Sequence, residues 1–342
     1  MRLTKKLVSL LTATALVCSL TACGTDSYKK ADQGASSAST NATADKDKVY
    51  HIGICQLMEH EALDAATKGF QDTLTEKLGK DKVKFDVQNA QGEESSCATI
   101  CNGFVSGNVD LIMANATAAL QSASAATNTI PIVATSITDY ATALNVEDWS
   151  GASGTNITGT SDLAPIEQQE DMILELLPDT KKVAIVYCSA EPNSIFQAQK
   201  MEKALDEDNI EYKEYTAADS NEIQSVVTNA AADCDVVYIP TDNVMAASVE
   251  TVKNVLIPAG VPMIAGEEGI CEAGVGTLSI DYYSLGQKTA EMAYEILVNG
   301  KNPGEMDIEY ADATTKEYNK ENCDKLGIKI PEDYKAIEEK DN

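Results

Sequence analysis

The chain has 342 residues, 44% of them hydrophobic, with 26 Lys+Arg against 54 Asp+Glu and a formal net charge of -28. That length and apolar fraction are enough for two ordinary domains with real cores, which excludes wholesale disorder. A polyanion whose only arginine is Arg2 is repelled by nucleic acid and by anionic lipid surfaces, so no nucleic-acid role is expected.

The first elements concern address. Arg2, Lys5 and Lys6 make a basic start, and Leu7 to Leu20 is an apolar run of about 14 residues, too short for a permanent membrane span but suited to a signal peptide. It ends in Leu20-Thr21-Ala22-Cys23, which resembles the lipobox of bacterial lipoproteins. That resemblance implies a signal over 1–22, cleavage before Cys23, and acyl chains on Cys23 that anchor the protein to the outer face of the bacterial cytoplasmic membrane. Residues 24–47 are Ser/Ala/Thr/Asn/Lys/Asp with no apolar period, so 23–47 reads as the lipidated cysteine and a disordered tether with a reach of roughly 25–30 Å. Without residues 1–22 the net charge is -31, three positive charges having gone.

Nine cysteines occur; setting aside Cys18 and Cys23 leaves seven, an odd number without framework spacing. Most of them read as small core hydrophobes, Cys55, Cys188 and Cys234 lying in or beside strand-like runs. Two histidines, His51 and His60, with no Cys-x-x-Cys pair give no metal site, and no cofactor motif is present.

From Lys48 onward strands and helices alternate. Strands are predicted at Val49–Cys55, Val83–Gln88, Leu111–Ala114 and Pro131–Ala134, with helices near 61–78, 95–106 and 117–127. In the first helix Leu63, Ala66, Phe70 and Leu74 recur at the period of a helix laid on a sheet. A second series has helices at 165–177, 194–208, 221–232 and 244–257, and strands Val183–Tyr187, Glu211–Tyr215, Val236–Ile239 and Val261–Ile264. Two α/β lobes with parallel central sheets follow from right-handed crossovers. Ser150–Thr160 and Gly274–Ile280, the latter before a helix at 284–298, lack a helical period and read as two chain crossings forming a hinge. The expected division is lobe 1 over 48–157, lobe 2 over 158–276, a return to lobe 1 over 277–320 and a tail over 321–342 packing on the body.

Ligands of parallel sheets sit outside the carboxyl ends of the strands, so facing lobes make one cleft. The ends offer Gln56-Leu57-Met58-Glu59-His60, Asn115-Ala116-Thr117, Thr135-Ser136-Ile137-Thr138-Asp139, Glu191-Pro192-Asn193-Ser194, Pro240-Thr241-Asp242-Asn243 and Gly266-Glu267-Glu268. Most feed helix N-termini, where capping alone accounts for Thr117, Asn193, Ser194, Asp242 and Asn243, and where a carboxylate is also welcome. No G-x-S-x-G, P-loop or Ser–His–acid set occurs, so an enzyme is not expected.

Several strings together closely resemble the ABC-transporter substrate-binding proteins assigned to tryptophan, tyrosine or phenylalanine. They include Val49-Tyr50-His51-Ile52-Gly53-Ile54, Gln88-Asn89-Ala90-Gln91-Gly92, Thr155-Asn156-Ile157-Thr158-Gly159-Thr160-Ser161-Asp162, Pro240-Thr241-Asp242-Asn243 and Ile280-Asp281-Tyr282-Tyr283-Ser284-Leu285-Gly286. The likeness covers about 49–335. It implies a two-lobed, type I periplasmic-binding fold that closes on an amino acid as a monomer and delivers it to a permease and its ATPase. The family's Thr-Asp-Pro turn reads Thr138-Asp139-Tyr140 here, which supplies an aromatic able to line the pocket.

With no arginine beyond Arg2, donors for an α-carboxylate would be Thr117, Thr138, Asn193 or Ser194 and backbone N–H groups; the α-ammonium would go to Asp242 or Asp139, then Asp281. Leu57, Met58 and Tyr140 would pack on the side chain, and Gln56, Glu59, Glu191, Thr241, Asn243 and Glu268 complete the expected site. A surface sensor or adhesin would show the same lobes, as would a binding protein for another small metabolite. A sugar binder would need more cleft aromatics than four Phe and one Trp allow.

Overall fold

The computed structural model describes residues 48–338, so the signal, Cys23 and the tether lie outside the described residues. Two sheets carry the chain. The first is built from β1 (Tyr50–Gln56), β2 (Val83–Asn89), β3 (Leu111–Asn115), β4 (Ile132–Ile137), β5 (Ile157–Ser161) and β11 (Glu309–Tyr310), in the order β11-β5-β4-β3-β1-β2, every pair parallel. The second contains β6 (Lys182–Cys188), β7 (Glu211–Ala217), β8 (Val236–Ile239), β9 (Met263–Ala265), β10 (Gly276–Ser279), β12 (Thr315–Tyr318) and β13 (Lys335–Ala336), in the order β13-β12-β10-β9-β8-β6-β7. Within it only β10 and β12 run antiparallel.

The inner strands β3, β4 and β8 are buried along their whole length, as strands covered by helices on both faces must be. Helix α1 (Glu61–Leu78) buries Leu63, Ala66, Phe70 and Leu74, with Glu61 and Asp64 in its first turn and Lys77 in its last, in the sense the helix dipole favours. Helices α2 (Glu94–Ser106) and α3 (Thr117–Ala126) flank the same sheet; α5 (Ile166–Leu176), α6 (Pro192–Glu207), α7 (Ile223–Asp233) and α9 (Val249–Ala259) flank the second. The seven cysteines among the described residues are free thiols, six of them buried.

Four expectations change. Ile157–Ser161, placed mostly beyond the lobe border at 157/158, is a fully buried strand of the first sheet. Gly276–Ser279 is a strand rather than a bare crossing, and Thr315–Tyr318 and Lys335–Ala336 belong to the second sheet rather than to a return and a tail. The physical reason is the open edge of β10, whose unpaired N–H and C=O groups are covered by β12. The chain therefore passes between the sheets three times: after β5, after β10 and after β11. Helix 244–257 is also two helices, α8 (Asn243–Ala246) and α9.

Helix α10 (Tyr282–Asn299) returns to the first sheet and lies against α1, β4 and β5. The two helices touch through glycines: a Cβ on Gly286 would fall 2.0 Å from the Ala66 carbonyl oxygen, and one on Gly69 would fall 2.1 Å from that of Tyr283. Backbone cannot yield as a side chain can, so Gly286→Ala is expected to cost about 1–3 kcal/mol, read as a lower urea midpoint. An unchanged midpoint would show that the helices separate freely.

Candidate functional site

The carboxyl ends of both sheets face each other, and strained backbone marks the first of them. Ala116, between β3 and α3, has φ 88°, and Ser136 near the end of β4 has φ 57°. The two are neighbours, since Ala116 N–H donates to the Thr135 carbonyl at 3.2 Å. Strain of this kind persists only where surrounding structure holds it, and it gathers at ligand sites. The Ser136 hydroxyl and the Asn115 Oδ1 are buried there without a partner.

Facing them is a network of carboxylates and amides. Glu191, just ahead of α6, accepts from Asn243 N–H (3.1 Å) and from Asn243 Nδ2 (2.7 Å), Asn193 Nδ2 (2.9 Å) and Val244 N–H (3.0 Å). Asp242 caps α8 by accepting from Met245 N–H (2.9 Å) and ties down the end of β6 by accepting from Cys188 N–H (2.6 Å). Burial, and behind it the charge of Glu191, push the Asp242 carboxyl up to about 7. Burial likewise lifts Glu267 to about 7, although Gly269 and Ile270 N–H groups favour its ionised form.

Two polar contacts link the loops of the two sheets. His60 Nε2 lies 3.1 Å from Asn243 Oδ1, and Gln197 Nε2 lies 3.5 Å from Thr138 Oγ1. Desolvation holds the His60 imidazole below its ordinary pKa. Asp162, just after β5, accepts from Thr138 Oγ1 (3.2 Å) and from Tyr282 Oη (2.9 Å), so it joins the first crossing to the second.

A cavity of about 920 Å³ opens between these loops, with Leu57, Met58, Ala118, Glu191, Asn193 and Val244 on its wall. Of the residues expected from sequence, Leu57, Met58, Glu59, Glu191 and Asn193 line it. Gln56 is turned away: it binds Asp64, Thr67 and the Met58 carbonyl. Ser194 and Asn243 are buried in the Glu191–Asp242 network, and Thr241 supplies its carbonyl to Asn193 and Gln197. Thr117 is buried at the start of α3 and Asp139 caps α4 (Tyr140–Leu144). Glu268 and Asp281 border a different cavity.

Comparisons with known proteins agree with this architecture. The family model of the ABC transporter substrate binding protein matches residues 51–340. The chain belongs to that family. It is 35% identical over 314 residues, 91% of this chain and 89% of the relative, to a tyrosine-binding protein of Clostridioides difficile (strain R20291). It is similar to the structure of an ABC domain in complex with L-Trp from Streptococcus pneumonia, with TM-score 0.79 and 31% identity over 83% of this chain and 97% of that one. It is also similar to the ligand-free, open structure of a substrate binding protein with adhesive properties from Clostridium difficile, with TM-score 0.66 and 32% identity over 85% of this chain and 100% of that one. The substrate-binding protein thus has the type I periplasmic-binding fold expected of it, and at near-equal identity it overlays the tryptophan complex better than the open structure.

One expected pocket residue is corrected. Tyr140 is 3% exposed, stacks on Trp149 with centroids 6.0 Å apart, and donates its hydroxyl toward the carbonyls of Ala134 (3.0 Å) and Thr160 (3.1 Å). It fills the space left by Gly159, where a Cβ would meet its hydroxyl at 2.4 Å, so it stitches β4 to β5 instead of lining the cleft. Sequence reading also missed Asp162 and Gln197. Asp162 stood in a quoted motif, but nothing marked it as buried; Gln197 sits one helical turn after Asn193, a spacing that could have found it.

Two outcomes are expected. Tyr140→Phe should lower stability by about 1–2 kcal/mol and leave ligand affinity unchanged; a loss of affinity with intact stability would return Tyr140 to the pocket. Asp242 and Glu267 have folded-state pKa values raised above the unfolded ones, so each contributes stability that is complete below about pH 4 and is lost as pH rises through about 7. The melting temperature of the ligand-free protein should therefore rise as pH falls from 8 to 5. Asp242→Asn should flatten that slope; an equal slope would remove Asp242 as its source.

Proposed function

We propose that this substrate-binding protein binds an aromatic amino acid, tyrosine, tryptophan or phenylalanine, between its lobes and hands it to an ABC permease. The observation that carries the reading is the joint one: relatives above 30% identity whose names specify tyrosine and L-Trp, and a cavity of about 920 Å³ walled by both lobes. Pockets of this order hold small organic ligands.

In this reading the α-carboxylate meets the N-terminus of the ten-residue helix α3, where the strained Ala116 precedes free helix N–H groups. The α-ammonium goes to Glu191. Asp242 was the leading acid by position, but it stands behind the wall with both oxygens taken by amides, whereas Glu191 is on the wall and its Oε1 accepts only from Val244 N–H. Leu57, Met58, Ala118 and Val244 supply the apolar side of the cavity. The groups of the two lobes are satisfied together only when the cleft is shut, so binding and closure are one equilibrium. The reading includes no turnover of the ligand.

Isothermal titration against the three aromatic amino acids checks the ligand class. Glu191→Gln should weaken binding by about 2 kcal/mol or more, because a desolvated ammonium loses its charge partner. Equal affinity in the variant would move the ammonium elsewhere.

The mature chain is anchored through acyl groups on Cys23, on the outer face of the cytoplasmic membrane. Among the described residues no helix is long and apolar enough to cross a membrane. Cys23→Ala should release the protein to the medium or leave it unprocessed. A processed variant that stays in the membrane fraction would contradict the anchor.

A further inference from the structure

A second cavity of about 540 Å³ shares no lining residue with the first. It lies where the chain passes between the sheets, with Ala62 and Ala65 of α1 on one side and Glu268, Thr315 and Glu317 on the other. Its floor follows from register. Ser279 pairs with Thr315 and Thr277 with Glu317 across the antiparallel β10–β12 ladder, and Glu317 pairs with Lys335 across β12–β13, so all these side chains stand on one face.

That face is polar and acidic. Glu268, Asp281, Asp312 and Glu317 border the cavity against Lys288 and Lys335. Lys288 is occupied by Asp312 at 2.5 Å, and Lys335, itself mostly exposed, reaches only Glu317 Oε1, at 3.5 Å. Glu317 is 7% exposed, and its Oε2 is buried with no hydrogen-bond partner. The Thr277 hydroxyl opposite it is also buried and unpartnered. Leaving a carboxylate oxygen dry and unmatched is costly, which points to a donor supplied from outside the chain. Burial and the charge of Glu317 both raise the pKa of Glu268, the sign of uncompensated negative charge.

We propose that this cavity binds a small organic amine cation, of the alkyl diamine class, with Glu317 as the main carboxylate. The acceptors are spread around the wall: among the described residues no group of three His, Cys, Asp or Glu is placed to hold a metal ion. A flexible chain of methylenes bearing separated ammonium groups fits such spacing, and the Ala62, Ala65 and Leu285 surfaces take the methylenes. The inference is independent of the amino acid reading of the first cavity.

The test is titration of the full chain with 1,4-diaminobutane and with spermidine at low ionic strength, with and without L-tyrosine, and with calcium chloride as a separate arm. One saturable site per chain is expected, weakened about tenfold or more in Glu317→Gln, which should melt no lower than the parent protein and keep its tyrosine affinity. Asp312→Asn, an exposed position that leaves folding untouched, should weaken binding by about two- to fivefold. Absence of a saturable site, equal affinity in Glu317→Gln, or binding of calcium without binding of either amine would overturn the proposal. Failure of tyrosine alone to bind would count only against the first cavity.

Discussion

The structure depends on burying carboxylates without cations. Glu191, Asp242, Asp162 and Glu267 lie within the facing loops at no more than 7% exposure, in a chain whose single arginine is at position 2. Each is held by neutral donors: helix-start amides for Glu191, Asp242 and Glu267, hydroxyls of Thr138 and Tyr282 for Asp162. Amides at helix N-termini offset part of a buried charge, and none cancels it. The facing loops therefore keep a negative deficit, and of these four carboxylates it is Glu191 that stands on the wall of the larger cavity.

How the fold presents it follows from topology. Parallel strands deliver every loop to the same end of each sheet, and three crossings keep the two ends face to face. Asp162, at the start of the first crossing, bonds to Thr138 ahead of it and to Tyr282 at the end of the second, so one buried carboxylate ties both crossings to the first sheet. Opposite Glu191, the backbone at Ala116 and Ser136 is held in conformations that favour glycine, and it is the surrounding sheet that sustains them.

Much of this was legible in the sequence because periodicity reports burial. The α1 stripe of Leu63, Ala66, Phe70 and Leu74 and the apolar runs of β3 and β8 are local signals, and the order of strand and helix then fixes parallel sheets. What stayed hidden depends on partners distant in sequence. β5 is rich in threonine and glycine, and only the neighbouring Tyr140 and β4 make Gly159 a strand residue. The β10, β12 and β13 strands are short, and pairing, not composition, defines them. For the candidate site, residue type picked out loops that line the cavity but not which way a side chain turns: Gln56 and Tyr140 face inward to their own lobe, and Glu191 rather than Asp242 reaches the wall, because Asp242 accepts from the Met245 and Cys188 N–H groups.

The most direct measurement compares L-tyrosine with N-acetyl-L-tyrosine by isothermal titration, since acetylation removes the ammonium charge and leaves the aromatic ring and carboxylate. The account predicts that L-tyrosine binds and that the acetylated compound loses about two orders of magnitude in affinity or fails to bind, the loss expected when a buried charge partner goes unmatched. Equal binding of the two would contradict it, because the ligand would then be held without drawing on the buried carboxylates.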